Sequence, residues 1–377
     1  MRIAFDLRRI KNPGIGRYMK CLVEAILRQE PQHDYFLILH PEAEGVIQAG
    51  NGRTRKLPCR LPTYSIREQL GLPGMLRRHE VDLLHSPHFL LPLVRPCPAV
   101  VTIHDVIYLA CQQDLPSRAG RLYYRGMMAA AVRLAKRIIT DSEYSKRDIV
   151  RYLRVTADKI VVVYPGVSPA FWRASGPELD TVRSRYRIED DYILYTGIYK
   201  PRKNHGGLLR AFRQFLAHGG SAKLVIAGSL QEEGERQLRQ LAGTLGIANK
   251  VILTGFVDDP QLRALYSGAH LYACPSLYEG FGFTVLEAMA CGTPVVCSTE
   301  TSLPEVAGEA ARYADPRSPE AFGGAMLEVF RDAGLRRHMI GKGRDNLRRF
   351  DWKQSAARTF AVYREALGDA KATVAQL

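Results

Sequence analysis

The sequence predicts an α/β protein of two doubly wound parallel-sheet domains, and three observations carry that prediction. The chain has 377 residues, with 46% hydrophobic and 24% charged residues, more than one ordinary core accommodates. Strand-like runs of Val, Ile and Leu alternate with amphipathic stretches, the pattern of a parallel sheet covered on both faces. The alternation stops and restarts around a stretch rich in Pro, Gly and Ser, from Pro165-Gly166 to Pro177.

In the first half, strands are expected at Arg2–Leu7, Tyr35–His40, Val81–His85, Ala99–His104, Arg137–Thr140 and Lys159–Tyr164. Helices are expected at Arg17–Gln29, Arg118–Lys136 and Ser142–Leu153. In the second half the strands are Tyr192–Thr196, Lys223–Ala227, Val251–Thr254, His270–Cys274 and Pro294–Ser298, with helices at Gly206–His218 and Glu233–Leu245. The tail reads as helices at Pro319–Arg331, Gly334–Arg349 and Asp351–Leu367. In doubly wound sheets ligands bind beyond the carboxyl ends of the strands, so a cleft between the two domains is the expected site.

Charge is unevenly spread. Residues 1–170 hold 26 Lys and Arg against 15 Asp and Glu, a net +11, whereas residues 171–377 are at +4. That asymmetry points to an anionic partner for the first half: a membrane surface or a phosphorylated acceptor, with no nucleic-acid module accompanying it. The helix at 118–136 interleaves Tyr123, Tyr124, Met127 and Met128 with arginines, which fits either core packing or an anionic membrane surface. Met1-Arg-Ile-Ala-Phe-Asp-Leu reads as a strand rather than a signal peptide, and no run approaches the ~18 apolar residues of a spanning helix. Seven cysteines without a Cys-x-x-Cys spacing fit buried thiols in a reducing cytosol and no zinc site.

The densest stretch is Ser276–Ser298, where a strand leads into a loop holding Glu279, Gly280, Phe281 and Gly282, then a short helix carrying Glu287. Glycines before a helix let amides approach an anionic or sugar ligand. Thr284-Val-Leu-Glu287 also fits a capping box, and Glu279 also fits a solvated loop acid, so the residues alone leave both roles open. Gly14 and Gly16 open the first helix after the first strand, where a tight turn or ligand approach both fit, and Met19 spoils a dinucleotide fingerprint. His104-Asp105 ends another strand; it can bind a polar ligand or move a proton, or His104 can satisfy a carbonyl and Asp105 a cap. Lys200, Arg202 and Lys203 gather three cations between a strand and a helix, suited to phosphate. Asp190-Asp191 and Asp258-Asp259 read as turn and cap residues, not metal ligands.

Together these residues resemble the family 4 glycosyltransferases, retaining enzymes of the GT-B fold, in which two Rossmann-like domains face a central cleft. Pro275-Ser-Leu-Tyr-Glu279-Gly-Phe-Gly-Phe-Thr-Val-Leu-Glu287-Ala-Met-Ala-Cys-Gly-Thr-Pro-Val carries the family's two glutamates separated by seven residues. Asp6 with Gly14-Ile-Gly-Arg-Tyr18, Thr102-Ile-His-Asp105, Asp141-Ser142, Tyr164-Pro-Gly166 and Pro201-Arg-Lys-Asn204 look like the bacterial mannosyltransferase-like subgroup of surface-polysaccharide assembly.

The resemblance implies an acceptor-side domain over 1–170, a nucleotide-sugar domain over 171–351, and a helix at about 352–377 packing back on the first. It implies ribose binding by Glu287, donor-sugar binding by Glu279 and the Gly280–Gly282 backbone, and diphosphate neutralisation by Lys203, with Gly14 and Gly16 approaching from the other domain. Phe256 and Val257 would lie beside the base, and His104 would contact the transferred sugar. Many family members carry an arginine after the glycine corresponding to Gly197; here it is Ile198, so Arg202 or Lys200 would supply that cation. The implied donor is a GDP- or UDP-linked sugar used without a metal; the +11 first half and the Arg/Tyr/Met helix add the expectation of a saccharide or lipid-diphosphate-linked saccharide acceptor at the inner face of the cytoplasmic membrane. A nucleotide-sugar epimerase of the same architecture and a silent scaffold are the competing classes.

Overall fold

In the computed structural model, residues 1–12, 14–48, 50–111, 114 and 117–368 are described, so positions 369–377 of the C-terminal helix expectation lie outside the described residues. The described residues divide into two compact units, one formed by residues 1–166 with residues 350–368, the other by Val167–Arg349.

The first unit holds seven strands: β1 (Arg2–Asp6), β2 (Asp34–Leu39), β3 (Thr54–Pro58), β4 (Leu83–Ser86), β5 (Ala99–Thr102), β6 (Arg137–Thr140) and β7 (Ile160–Val162). They pair in parallel in the order β3-β2-β1-β4-β5-β6-β7. The second unit holds β8 (Tyr192–Thr196), β9 (Lys223–Ala227), β10 (Val251–Gly255), β11 (Leu271–Cys274), β12 (Val295–Ser298) and β13 (Ala311–Ala314), in the order β10-β9-β8-β11-β12-β13. Both sheets are doubly wound, with the order reversing beside β1 in one and β8 in the other.

Central strands such as β4, β5, β8, β11 and β12 are buried throughout, which is why they read as unbroken apolar runs. The two strands absent from the sequence expectation, β3 and β13, lie at sheet edges. Their sequences, Thr-Arg-Lys-Leu-Pro and Ala-Arg-Tyr-Ala, carry the charges that keep an exposed edge from pairing with another chain, and that hides them from a hydrophobic pattern. The expected linker ends earlier than Pro177: a helix at Gly176–Tyr186 starts there, with Ser175 and Glu178 forming a capping box.

The chain returns to the first unit through the helix Trp352–Ala366, which packs on the helix Ile15–Gln29. The Tyr363 hydroxyl meets the buried His85 Nδ1 at 2.6 Å, and Ser355 donates to the Tyr164 carbonyl at 2.6 Å. Gly166 packs against Trp352 so closely that a Cβ there would lie 2.4 Å from the Trp352 nitrogen.

Cys21, Cys59, Cys97, Cys274, Cys291 and Cys297 are buried free thiols. Among the described residues no helix is long and apolar enough to cross a membrane.

Candidate functional site

The switch point of the second sheet lies between β8 and β11, and the loops leaving those two strands carry the cations and Glu279. After β8 a short turn, Pro201–Lys203, presents Arg202 and Lys203, and Asn204 closes it at φ 55°, where its side chain accepts from the Gly207 amide and caps the next helix. The Asn204 amide also donates to the carbonyls of Pro275 (3.1 Å) and Pro316 (2.8 Å), and the Leu277 amide donates to the Arg202 carbonyl at 2.7 Å. These bonds lock the cation turn to the Glu279 loop.

Glu279 is buried. Its Oε1 accepts from Lys203 Nζ at 2.6 Å and Ser276 Oγ at 2.7 Å, while Arg202 Nη1 lies 3.7 Å from Oε2. Burial pushes its carboxyl up, but the nearby Lys203 and Arg202 charges and the Lys203 and Ser276 hydrogen bonds outweigh it, so the group sits below its ordinary value. The Glu279 amide donates to Thr301 Oγ1 at 3.0 Å, and Ser302 Oγ donates to the carbonyls of Glu279 and Phe281, each at 2.9 Å. Glu279 is therefore no solvated loop acid but the centre of a buried charge cluster. Arg202 faces it from the position where the sequence leaves a choice between Arg202 and Lys200, and Ile198 is exposed.

The capping-box reading of Thr284 and Glu287 does not hold. The helix runs Phe283–Ala290, so Thr284 lies inside its first turn, and the N-cap is Gly282 at φ 106° with no side-chain cap bond. A Cβ at Gly282 would also lie 2.8 Å from Leu303 Cδ2. Glu287 is buried and receives a hydrogen bond from Tyr266 Oη at 3.3 Å, whose hydroxyl also meets Thr196 Oγ1 at 2.9 Å at the end of β8. Gly280 and Phe281 are buried in the same loop.

Phe256 and Val257 follow the edge strand β10, separated from β11 by β9 and β8. Phe256 is 78% exposed. Asp258 caps the helix Asp259–Gly268 by accepting from the Gln261 amide at 2.9 Å. Among the described residues no three His, Cys, Asp or Glu side chains gather into a metal-binding group.

In the first unit, His104 stands two residues past β5, beside the loop that leaves β6. Its Nδ1 lies 2.6 Å from Asp141 Oδ2 and its Nε2 lies 3.3 Å from the Pro87 carbonyl, with the Tyr18 ring edge-on at 4.6 Å. The carbonyl contact expected of a structural histidine is thus present, but so is a carboxylate. With Asp141 ionised, both ring nitrogens face acceptors, and that geometry favours the doubly protonated ring. Burial opposes the charge; the Asp141 carboxylate and its hydrogen bond, aided by Asp105, prevail and raise the imidazole above its ordinary value. Asp105 also accepts from the Ile107 amide at 3.0 Å, as a capping residue does.

Asp141 was not singled out as a site residue in the sequence, although placing β5 beside β6 puts their carboxyl-end residues next to each other. Asn204 and Ser276 stand in the sequence motifs without a role, and Thr301 and Ser302 stand in none; Asn204, Thr301 and Ser302 act through backbone groups remote in sequence.

Gly14 has φ 76° with nothing within 4 Å of a Cβ built there, so its open side fits a turn or an approaching ligand alike. Gly16 differs: a Cβ would stand 1.9 Å from the Ile10 carbonyl oxygen. Gly16→Ala should accordingly destabilise the protein by roughly 2 kcal/mol, a typical overpacking cost, read as a lower urea midpoint with or without ligand.

Two family models match in tandem. Glycosyltransferase Family 4 matches residues 13–171, and Glycosyl transferases group 1 matches residues 180–346. O-antigen chain mannosyltransferase B of Escherichia coli is 32% identical over 381 residues, covering 97% of this chain and 100% of that one. The chain belongs to this glycosyltransferase family. The glycosyltransferase is also similar to D-inositol 3-phosphate glycosyltransferase of Acidothermus cellulolyticus, 30% identical over 79% of this chain and 67% of that one. Among solved structures, sucrose-phosphate synthase of Thermosynechococcus elongatus superposes with a TM-score of 0.78 at 19% identity, over 98% and 100% of the two chains. Anabaena HepE in complex with UDP and glucose superposes at 0.77 and 18% identity, over 97% and 100%. At those identities the likeness speaks to the fold, and the fold of this glycosyltransferase is GT-B.

Proposed function

We propose that the enzyme transfers mannose from GDP-mannose, with retention of anomeric configuration and without a metal, to a saccharide or lipid-diphosphate-linked saccharide during surface-polysaccharide assembly. The relatives' names support the sugar and the process. The observation that carries the site is the clamp of Lys203 and Arg202 on Glu279 at the switch point of the second sheet.

In this reading the second unit holds the donor. Glu279 and the Gly280–Gly282 backbone bind the sugar hydroxyls, Glu287 the ribose hydroxyls, and Phe256 and Val257 flank the base. Departure of the nucleoside diphosphate develops negative charge on its phosphate oxygens, and preorganised cations stabilise it at no reorganisation cost. Lys203 has three N–H donors and gives one to Glu279, so it retains donors for a phosphate. Arg202 adds a fork beside it, and Gly14 offers an open, side-chain-free approach. The acceptor, bound by the first unit, attacks from the face the diphosphate leaves, with a phosphate oxygen taking its proton, and His104 contacts the transferred sugar.

Isothermal titration with GDP and UDP tests the donor: GDP should bind at least about tenfold tighter, a difference of ~1.4 kcal/mol. Tighter UDP binding would favour the second reading, a UDP-sugar donor, for which Anabaena HepE with UDP and glucose is the supporting neighbour. Nucleotide-sugar conversion without acceptor would instead identify an epimerase. Transfer undiminished by excess EDTA is expected; its loss, restored by a divalent cation, would remove the metal-free mechanism.

A further inference from the structure

Eleven large apolar side chains are exposed among the described residues, and eight of them lie between residues 64 and 134 of the first unit. Scattered singly, such residues mean little; gathered, they mark a contact surface. Three segments supply seven of them, Tyr64 being the eighth: the helix Ile66–Arg78, the loop around Leu93-Val94, and the helix Arg118–Leu134. Ile66 and Leu70 are one helical turn apart on an outward face, and Leu93, Val94, Leu122 and Tyr123 complete a set exposed by 44–81%.

The segments are tied to one another. Gln69 accepts from the Leu93 amide at 2.8 Å, Tyr64 and Tyr123 pack edge to face at 6.1 Å, and the Arg95 guanidinium donates to the Leu134 carbonyl. The apolar residues therefore form one surface rather than three.

The charge around them has one sign. Residues 66–78, 92–98 and 118–137 contain ten Lys and Arg and a single acid, Glu68. Glu68 is buried and bound to Arg8 at 3.1 Å, so it does not offset the cations outside. Beside the patch a hollow is lined by Leu93, Val94, Arg95, Cys97, Pro98 and Lys136, and the buried Arg95 Nε there has no hydrogen-bond partner. Burial, with Arg137, Arg95 and Lys136 close by, holds Lys159 below its ordinary value despite Asp158, and of these cations Arg137 is paired with Glu365 at 3.1 Å.

We infer that this face of the first unit docks on an anionic lipid bilayer, the apolar side chains entering the headgroup boundary and the surrounding arginines meeting lipid phosphates. A second copy of the chain is a poor occupant, because it would bring one cation-rich surface against another. A neutral apolar partner would leave those cations unmatched. The inference is independent of the donor and acceptor assignments.

The full chain, without donor or acceptor, is sedimented with phosphatidylcholine vesicles lacking or containing phosphatidylglycerol. Binding should be at least about tenfold tighter with phosphatidylglycerol and should weaken as salt screens the charges. Ile66→Ser/Leu70→Ser and Leu122→Ser/Tyr123→Ser should each weaken it by about tenfold or more, since each pair withdraws two buried-on-binding apolar side chains. Arg236→Glu, exposed in the second unit, should leave it unchanged. These exposed sites should keep the parent's thermal midpoint and its transfer to a water-soluble acceptor, which separates failure of docking from failure of the transferase reading. Equal binding to both vesicles, or serine variants that bind as the parent does, would overturn the inference. So would a dimer that the serine pairs make monomeric while the parent ignores vesicles.

Discussion

Lys203→Ala should lower kcat/KM by about 10²–10³-fold, the usual consequence of deleting one preorganised donor where negative charge develops. It should also destabilise the protein by about 3 kcal/mol, because Glu279 is buried and would keep only the longer Arg202 contact and Ser276. The two effects are separable. Replacing both partners, Lys203→Met with Glu279→Gln, removes the stranded charge and should recover most of the stability, while transfer stays low. Urea unfolding and initial-rate kinetics on the single and double variants measure both. Transfer unchanged in Lys203→Ala would mean that Lys203 does not serve the diphosphate.

The clamp has a pH signature as well. The folded Glu279 carboxyl lies below its ordinary value, so its stabilisation is present above the unfolded-state value of ~4.3 and is lost as pH falls through the lower, folded one. In Lys203→Ala that loss should begin at higher pH.

Asp141→Asn should lower kcat/KM by about 10²-fold near neutrality, the lower end for a group governing proton placement. Asp141 is a positioning residue: it acts through His104, whose ring it holds at 2.6 Å. The folded imidazole is raised, so the stabilisation from its protonated form is complete below ~6.5 and disappears as pH rises through the folded midpoint. Asparagine removes the attracting charge, and the midpoint should fall, carrying the basic limb of the rate profile to lower pH. The groups facing the ring are Asp141 and Asp105, with the neutral Tyr18; His85 and His88 nearby are held low chiefly by burial, with a smaller push from His104. Nitrogen NMR of the ring reads the midpoint directly, and Asp141→Glu should restore part of it. An unchanged midpoint and profile in Asp141→Asn would reduce the pair to packing.

Much of the architecture was legible in the sequence because parallel strands buried on both faces have no choice but to be apolar. β8 and β9 were read at their full extents for that reason. Edge strands β3 and β13 escaped because half-exposed backbone tolerates Arg and Lys. The helix Ile66–Arg78 escaped too: it exposes Ile66 and Leu70, buries Glu68, and carries an internal proline, each contrary to an amphipathic pattern.

The site divides in the same way. Chain order and periodicity are local properties, so they already put Lys203 and His104 just past strand ends, Glu279 in the loop after a strand and Glu287 on the helix that follows. What Glu279 and His104 touch was decided only by tertiary structure. A capping box is a three-residue spacing, and Thr284-x-x-Glu287 satisfies it on paper, yet a glycine in the left-handed region started the helix two residues earlier. Glu279 gains its cations from the turn after β8, Lys203 being 76 residues away in the chain, and His104 gains its carboxylate from the loop after β6, 37 residues away. Electrostatic energy depends on distances in space, and those distances exist only once the strands have paired.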